Sequence, residues 1–218
     1  AAKQLVAADP DGAAIDLPAG PSEVMIIADD SAVPAWTAAD LLAQAEHDTL
    51  AQALLLATSR PFAEAVAAEL DRQLPQRTRQ SILRESTRTI RLLVVPDLDT
   101  AVQLANRYAP EHLLIQTCAP RSLLAEIRNA GSVFLGHLTP ETLGDYCAGP
   151  NHVLPTSGHA RAYSGLSLLD FQRRMTVQEA SADGLRELGP TACELALLEG
   201  LDAHAQAVAL RLEGLASR

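Results

Sequence analysis

The sequence predicts an α/β fold: a mostly parallel sheet with flanking helices, followed by an all-helical tail. Two observations carry that prediction. Short apolar runs rich in β-formers alternate with amphipathic stretches through the first three quarters of the chain, and beyond about residue 165 only helical patterns remain.

The runs VMIIAD (24–29), ALLLAT (53–58), TIRLLVVPD (89–97), HLLIQT (112–117) and GSVFLGHL (131–138) are continuous rather than alternating, as expected of strands covered on both faces. Between them lie helix candidates at 35–46, 61–74, 100–108 and 120–130, with Asp, Ser and Pro at their starts. A strand, a helix and another strand in turn make a parallel pair, so the alternation builds a parallel sheet. The tail reads as helices at 169–179, 183–188 and 191–215, the last broken near Gly200. Its apolar positions Leu195, Leu197, Leu198, Leu201, Val208 and Leu215 are numerous for so short a unit. Such a tail is expected to pack on another surface, a second subunit included.

Composition narrows the function classes. With 218 residues, 48% of them hydrophobic and 20% charged, the chain can bury a sizeable core. A net charge of -10 and no basic run argue against a grip on nucleic-acid phosphates. No apolar run reaches the length of a membrane span and the start has no secretory pattern, so a cytoplasmic location and no membrane partner are expected. Cys118, Cys147 and Cys193 lack metal-type pair spacing and read as reduced bystanders, with Cys147 expected to be a small buried residue. No GxGxxG joins a strand to a helix, so no dinucleotide site is visible.

The densest cluster of chemistry is GDYCAGPNHVLP (144–155). Asp145, Tyr146, Asn151 and His152 surround a Gly149-Pro150 break whose backbone restrictions aim side chains. The plain alternative is a surface turn. Gln44 and His47 in LLAQAEHD share a helix face at i, i+3, and imidazole is a common zinc ligand; a His near a helix end is otherwise simply a favourable charge. Glu111-His112 in YAPEHLL stands at a loop-to-strand junction after Pro110, where a carboxylate and an imidazole can face one cleft as acid-base equipment or be an exposed pair. Ser22 reads as a turn or cap residue, and Glu199 and His204 as a polar face of the tail. These residues suggest a metal-assisted hydrolytic or acid-base site, with no substrate specified.

The strings DLPAGPSEV, LLAQAEHD, YAPEHL, GSVFLG, GDYCAGPNHVLPTSG, DFQRRMTVQE and LDAHAQAV, in this order, resemble histidinol dehydrogenase over residues 16–210. The resemblance implies zinc-dependent, NAD-linked, four-electron oxidation of L-histidinol to L-histidine via L-histidinaldehyde, on an incomplete Rossmann-like sheet. It makes Gln44, His47, Asp145 and His204 the zinc ligands, His112 the general base and Glu111 the residue that activates water. Ser22, His152 and Glu199 match substrate-contacting positions, as do Gln44, His47, His112, Asp145 and His204. It further implies a homodimer whose tail completes the partner's site.

Chains of that family are about twice as long, and the match is to their C-terminal half. The resemblance therefore implies three regions: residues 1–22, a remnant strand of a missing second α/β domain; 23–168, part of the main α/β domain; and 169–218, the helical tail. It places the NAD contacts outside this chain and implies that the chain alone is inactive. Two other readings stay open at this point, a non-catalytic half-enzyme module binding zinc or a metabolite, and a metal-dependent hydrolase.

Overall fold

A computed structural model describes residues 2–216. Its contacts divide the chain into two compact units, Ala1–Phe171 and Gln172–Arg218. The boundary falls three residues beyond the predicted start of the tail.

The first unit contains five strands, β1 (Glu23–Ala28), β2 (Gln52–Ala57), β3 (Arg91–Val94), β4 (His112–Gln116) and β5 (Ser132–Leu135), in the spatial order β3-β2-β1-β4-β5 with every pairing parallel. β1 is central and buried along its whole length. Its period-two alternation feeds two cores: Val24 and Ile26 face one side with Leu41, Leu55, Phe62 and Leu114, while Met25 and Ile27 face the other with Val102, Leu113 and Ile115. β3 is an edge strand, and its Leu93 and Val94 are exposed.

Helices α2 (Pro34–Ala45) and α3 (Arg60–Gln73) supply the first core and α5 (Leu98–Tyr108) the second. Their starts follow from sequence. Pro34 opens α2; the Ser59 hydroxyl accepts from the Phe62 amide at the head of α3; the Asp97 carboxylate accepts from the Thr100 amide, 2.7 Å away, at the head of α5. α5 ends at Ala109 in the left-handed region (φ 59), and Pro110 then stops any continuation, so the chain turns straight into β4 at His112.

Several details differ from the sequence reading. The strand expected within residues 1–22 is replaced by α1 (Ala2–Ala8) and coil. With no neighbouring strand to pair with, an Ala-rich segment can satisfy its backbone only locally, and a helix does so. α4 (Gln80–Ser86) was not foreseen; its Leu83 packs under Leu42 and Ala45, and Ser86 Oγ donates to the Ala45 carbonyl at 2.6 Å. The helix predicted at 120–130 shortens to α6 (Pro120–Leu124). α7 (Glu141–Tyr146) takes in the start of the GDYCAGPNHVLP segment, so Asp145 is aimed by a helical turn and not by the Gly149-Pro150 break. Cys147 is exposed, against the expectation of a small buried residue, and so is Tyr146 beside it.

The second unit is a helical hairpin of α8 (Ala182–Leu198) and α9 (Asp202–Ala216). Ser181 caps α8 through the Gly184 amide at 3.0 Å, and the chain reverses at Gly200 with φ 75. α8 continues through Pro190, so the predicted interruption between 188 and 191 is absent. The helix expected at 169–179 is only a 3-10 turn at Leu168–Phe171 followed by irregular chain. Leu188, Leu195, Leu197, Leu198 and Leu210 are exposed on this unit. Among the described residues no helix is long and apolar enough to cross a membrane.

Candidate active site and metal centre

The candidate site forms at the amino ends of β1 and β4, where the register places Val24 beside His112 and His112 beside Ser132. Parallel topology explains what gathers there. A helix that returns the chain between parallel strands runs against them, so the carboxyl end of α2 comes back to the amino edge of the sheet, while α7, which follows the last strand, lies against Phe134 of β5. The end of α2 thereby delivers Gln44, and His47 follows in the turn past Ala45, so the two do not share a helix face as expected; α7 carries Glu141 as its first residue and Asp145 one turn later.

Two glycines permit the close fit. A Cβ on Gly131 would stand 2.6 Å from the Glu111 carbonyl oxygen, which is the acceptor of the Ser132 amide in the turn beside the site. A Cβ on Gly144 would stand 2.6 Å from the Phe134 ring, so only glycine lets α7 lie on β5 with Asp145 next in line.

His112 is 3% exposed, and its Nδ1 lies 3.2 Å from the Glu23 carbonyl oxygen. A carbonyl can only accept, so Nδ1 carries the hydrogen and Nε2 keeps its lone pair. Nε2 has no hydrogen-bond partner and faces Asp145 Oδ1 at 3.5 Å. Burial holds the imidazole below its ordinary pKa, opposed by the Asp145 charge, which favours the protonated form. The ring is a neutral base with a carboxylate placed to steady the cation that it becomes.

Glu111, also buried, accepts from the Glu23 amide at 2.9 Å and from Ser22. Burial, with the Glu23 and Asp145 charges behind it, pushes its carboxyl up to about 7. Its Oε2 lies 3.7 Å from His112 Nδ1. Glu23 is buried at the head of β1, raised by its own desolvation, and receives the Ser157 amide at 2.8 Å.

Ligand atoms of His47, Glu141 and Asp145 all lie within 4.8 Å of one another. Gln44 is fully buried with both amide atoms unpaired, and the His47 amide donates to its backbone carbonyl at 3.2 Å. An unpaired buried amide is costly, and a cation taking its oxygen would satisfy half of that demand. Imidazole nitrogen with amide and carboxylate oxygens is a donor set that suits zinc. The residues present therefore fit such an ion.

The structure thus brings Ser22, Glu111, His112, His47 and Asp145 to one edge, with Gln44 on the same end of α2. His152 is exposed in the loop beyond Gly149, whose Asn151 side chain accepts the Val153 amide at 2.9 Å. Glu199 caps the end of α8 and His204 lies in the first turn of α9; both belong to the second unit and both are exposed. Glu23 and Glu141 were missed. The signal for Glu141 was its place one helical turn before Asp145 in ETLGD, and for Glu23 its place at the head of a fully apolar strand. A cavity of about 590 Å³ opens between Ser132, Asn151, Leu154 and Gly165, but Glu111, His112 and Asp145 do not line it.

The histidinol dehydrogenase family model matches residues 1–212. The histidinol dehydrogenase of Idiomarina loihiensis is 55% identical over 212 residues, which are 97% of this chain and 48% of that protein. That of Aliivibrio fischeri is 52% identical over 215 residues, 99% of this chain and 49% of that protein. The crystal structure of histidinol dehydrogenase from Elizabethkingia anophelis superposes with a TM-score of 0.90 at 42% identity, covering 94% of this chain and 47% of the other. The chain spans about half the length of the curated relatives it matches.

Proposed function

The chain belongs to the histidinol dehydrogenase family, and on that premise we propose that it builds the zinc- and substrate-holding part of an enzyme of histidine biosynthesis. That enzyme oxidises L-histidinol to L-histidine through the aldehyde, with NAD accepting the hydride. The observation that supports this reading is the 3.5 Å approach of His112 Nε2 to Asp145 Oδ1, which sets a neutral base beside the carboxylate that would ligate the metal.

Gln44, His47, Asp145 and His204 would hold the zinc. Zinc bound there would orient the imidazole and amine of the substrate, a positioning role more than a water-activating one. His112 takes the alcohol proton at Nε2. Its Nδ1–H stays on the Glu23 carbonyl, so the ring charges without turning, and Asp145 stabilises the imidazolium. Glu111, poised near 7, accepts a proton from the water that attacks the aldehyde-level intermediate. Ser22 supports Glu111 and contacts substrate, as does His152, and Glu199 suits the substrate ammonium.

Glu199 and His204 would come from the helical hairpin of a second subunit, whose exposed leucines support a docked arrangement in a homodimer. NAD contacts are assigned to no residue of this chain, and the chain alone is expected to be inactive.

The test is NADH absorbance with the purified 218-residue chain, zinc, NAD and L-histidinol, alongside metal analysis of the same sample. Retained zinc without NADH is expected. Robust turnover would contradict the assignment of the NAD contacts elsewhere, and NAD-independent ester or amide cleavage would favour a hydrolase instead.

A further inference from the structure

Residues 153–158 continue the loop of His152 as a strap across the amino edge of the sheet. Leu154, Pro155 and Thr156 are buried in it. A Cβ on Gly131, just before β5, would stand 3.2 Å from Pro155 Cδ, and a Cβ on Gly20, before β1, would stand 2.6 Å from Ser157 Oγ and 2.9 Å from Thr156 Oγ1. The strap is therefore pressed against the turns that lead into both strands, at two points where the chain carries no side chain.

Its backbone is held in an uncommon conformation. Ser157 has φ 55 and Gly158 φ 76, and a serine takes the left-handed region where surrounding contacts impose it. The contact here is the Glu23 carboxylate, whose Oε1 accepts from the Ser157 amide at 2.8 Å across 134 residues of chain. Among the described residues it is the one hydrogen bond between 153–158 and a strand.

A carboxylate at the head of a strand buried along its whole length is a costly acceptor. Glu23 is 2% exposed, desolvation raises its carboxyl, and its Oε2 is buried with no partner, as is the hydroxyl of Thr156. Space at that place could be filled by an apolar side chain like the Val, Met and Ile that follow it. What the carboxylate adds is a tie. The backbone of the same residue holds Glu111 Oε2 through its amide at 2.9 Å and His112 Nδ1 through its carbonyl at 3.2 Å, so the side chain joins the strap to the one residue that also orients the acid and the base.

We infer that Glu23 is a positioning residue: its carboxylate clamps the 153–158 strap through the Ser157 amide and so holds the loop of His152 in register with Glu111 and His112. This rests on the roles proposed above for those residues and adds one that the sequence did not single out.

The test compares the 218-residue chain as wild type, as Glu23→Gln, which keeps an acceptor oxygen and the shape, and as Glu23→Leu, which keeps the bulk and removes the acceptor. Amide hydrogen exchange of the metal-free chains, read by NMR, reports the clamp; titration of L-histidinol into the zinc-loaded chains reports its effect on the site. Glu23→Leu is expected to speed exchange at Ser157 by about tenfold, with Ile26 and Leu55 on the paired strands keeping wild-type protection, and to weaken L-histidinol binding by about tenfold. Glu23→Gln is expected to stay within about twofold of wild type in both. Should Glu23→Leu fail to fold, Glu23→Asp, whose carboxylate falls one methylene short of Ser157, takes its place with the same expectations. Wild-type exchange at Ser157 in the variant that lacks the contact would overturn the inference. Equal speeding at Ile26 and Leu55 would overturn it by assigning Glu23 to the stability of the whole sheet, and a Glu23→Gln as defective as Glu23→Leu by denying the role of the acceptor oxygen. A loosened strap with unchanged L-histidinol binding would overturn it too and leave the proposed function standing. Absence of L-histidinol binding by zinc-loaded wild type would remove the proposed function and the role of the clamp with it.

Discussion

His112 Nδ1 sits 3.2 Å from the carbonyl oxygen of Glu23, a contact made across the pairing of β4 with β1 at the amino edge of the sheet. The backbone thereby fixes the tautomer of the base, and no side-chain substitution at Glu23 alone removes it. The reactive Nε2 is left free and turned toward Asp145.

Replacing the base separates chemistry from metal binding. In an assembly competent for turnover, His112→Asn is expected to lower kcat by roughly 10²- to 10⁴-fold, the range of general-base catalysis, while zinc content stays at the wild-type level. Steady-state kinetics with metal analysis checks both halves.

Gly144 sets the seat of α7. Its missing Cβ would fall 2.6 Å from Phe134, so Gly144→Ala must move either the helix or the ring. A loss of about 1–3 kcal/mol in urea unfolding is expected, with weaker zinc binding because Asp145 moves with the helix. Phe134→Leu in the same chain should recover part of both losses.

Glu111 makes stability depend on pH. Its carboxyl rises from 4.5 to about 7 on folding, so the folded chain binds that proton more tightly than the unfolded one. The resulting stabilisation is complete below 4.5 and is lost as pH rises through 7, on the order of 3 kcal/mol for a shift of this size. Metal-free wild type should therefore lose stability across that window in denaturant titrations, and Glu111→Gln should flatten the decline.

A site shared between subunits can be rebuilt by mixing. Asp145→Asn and His204→Asn homodimers should each bind zinc poorly, whereas co-refolded mixtures should recover binding in the heterodimer that carries one intact set. Zinc affinity after mixing that stays at the level of the separate variants would argue against a tail supplied by the partner.

The parallel sheet was legible because its strands are continuous apolar runs such as VMIIAD and HLLIQT, a pattern that few other environments require. The Gln44, His47, Glu111, His112 and Asp145 set was visible through family strings, and the topology explains why residues so far apart in sequence share one edge. Glu23 and Glu141 escaped because an isolated Glu at a strand head or in a short helix looks like any solvated acid until burial is known. α4 escaped because QSILRES is short and weakly periodic, and it is fixed by Leu83 and the Ser86 contact to α2. The interruption expected between 188 and 191 is not made, and α8 runs through Pro190, since one lost backbone hydrogen bond can be outweighed by packing of the hairpin, where Gly189 lies against Val208 and Leu212.

The central claim is a zinc site that exists to hold histidinol. Isothermal titration of L-histidinol into the 218-residue chain, once loaded with zinc and once stripped with a chelator, tests it most directly. Binding to the zinc-loaded chain that disappears on stripping and is lost in Asp145→Asn is the expected result; binding that is indifferent to zinc, or absent from the zinc-loaded chain, would contradict it.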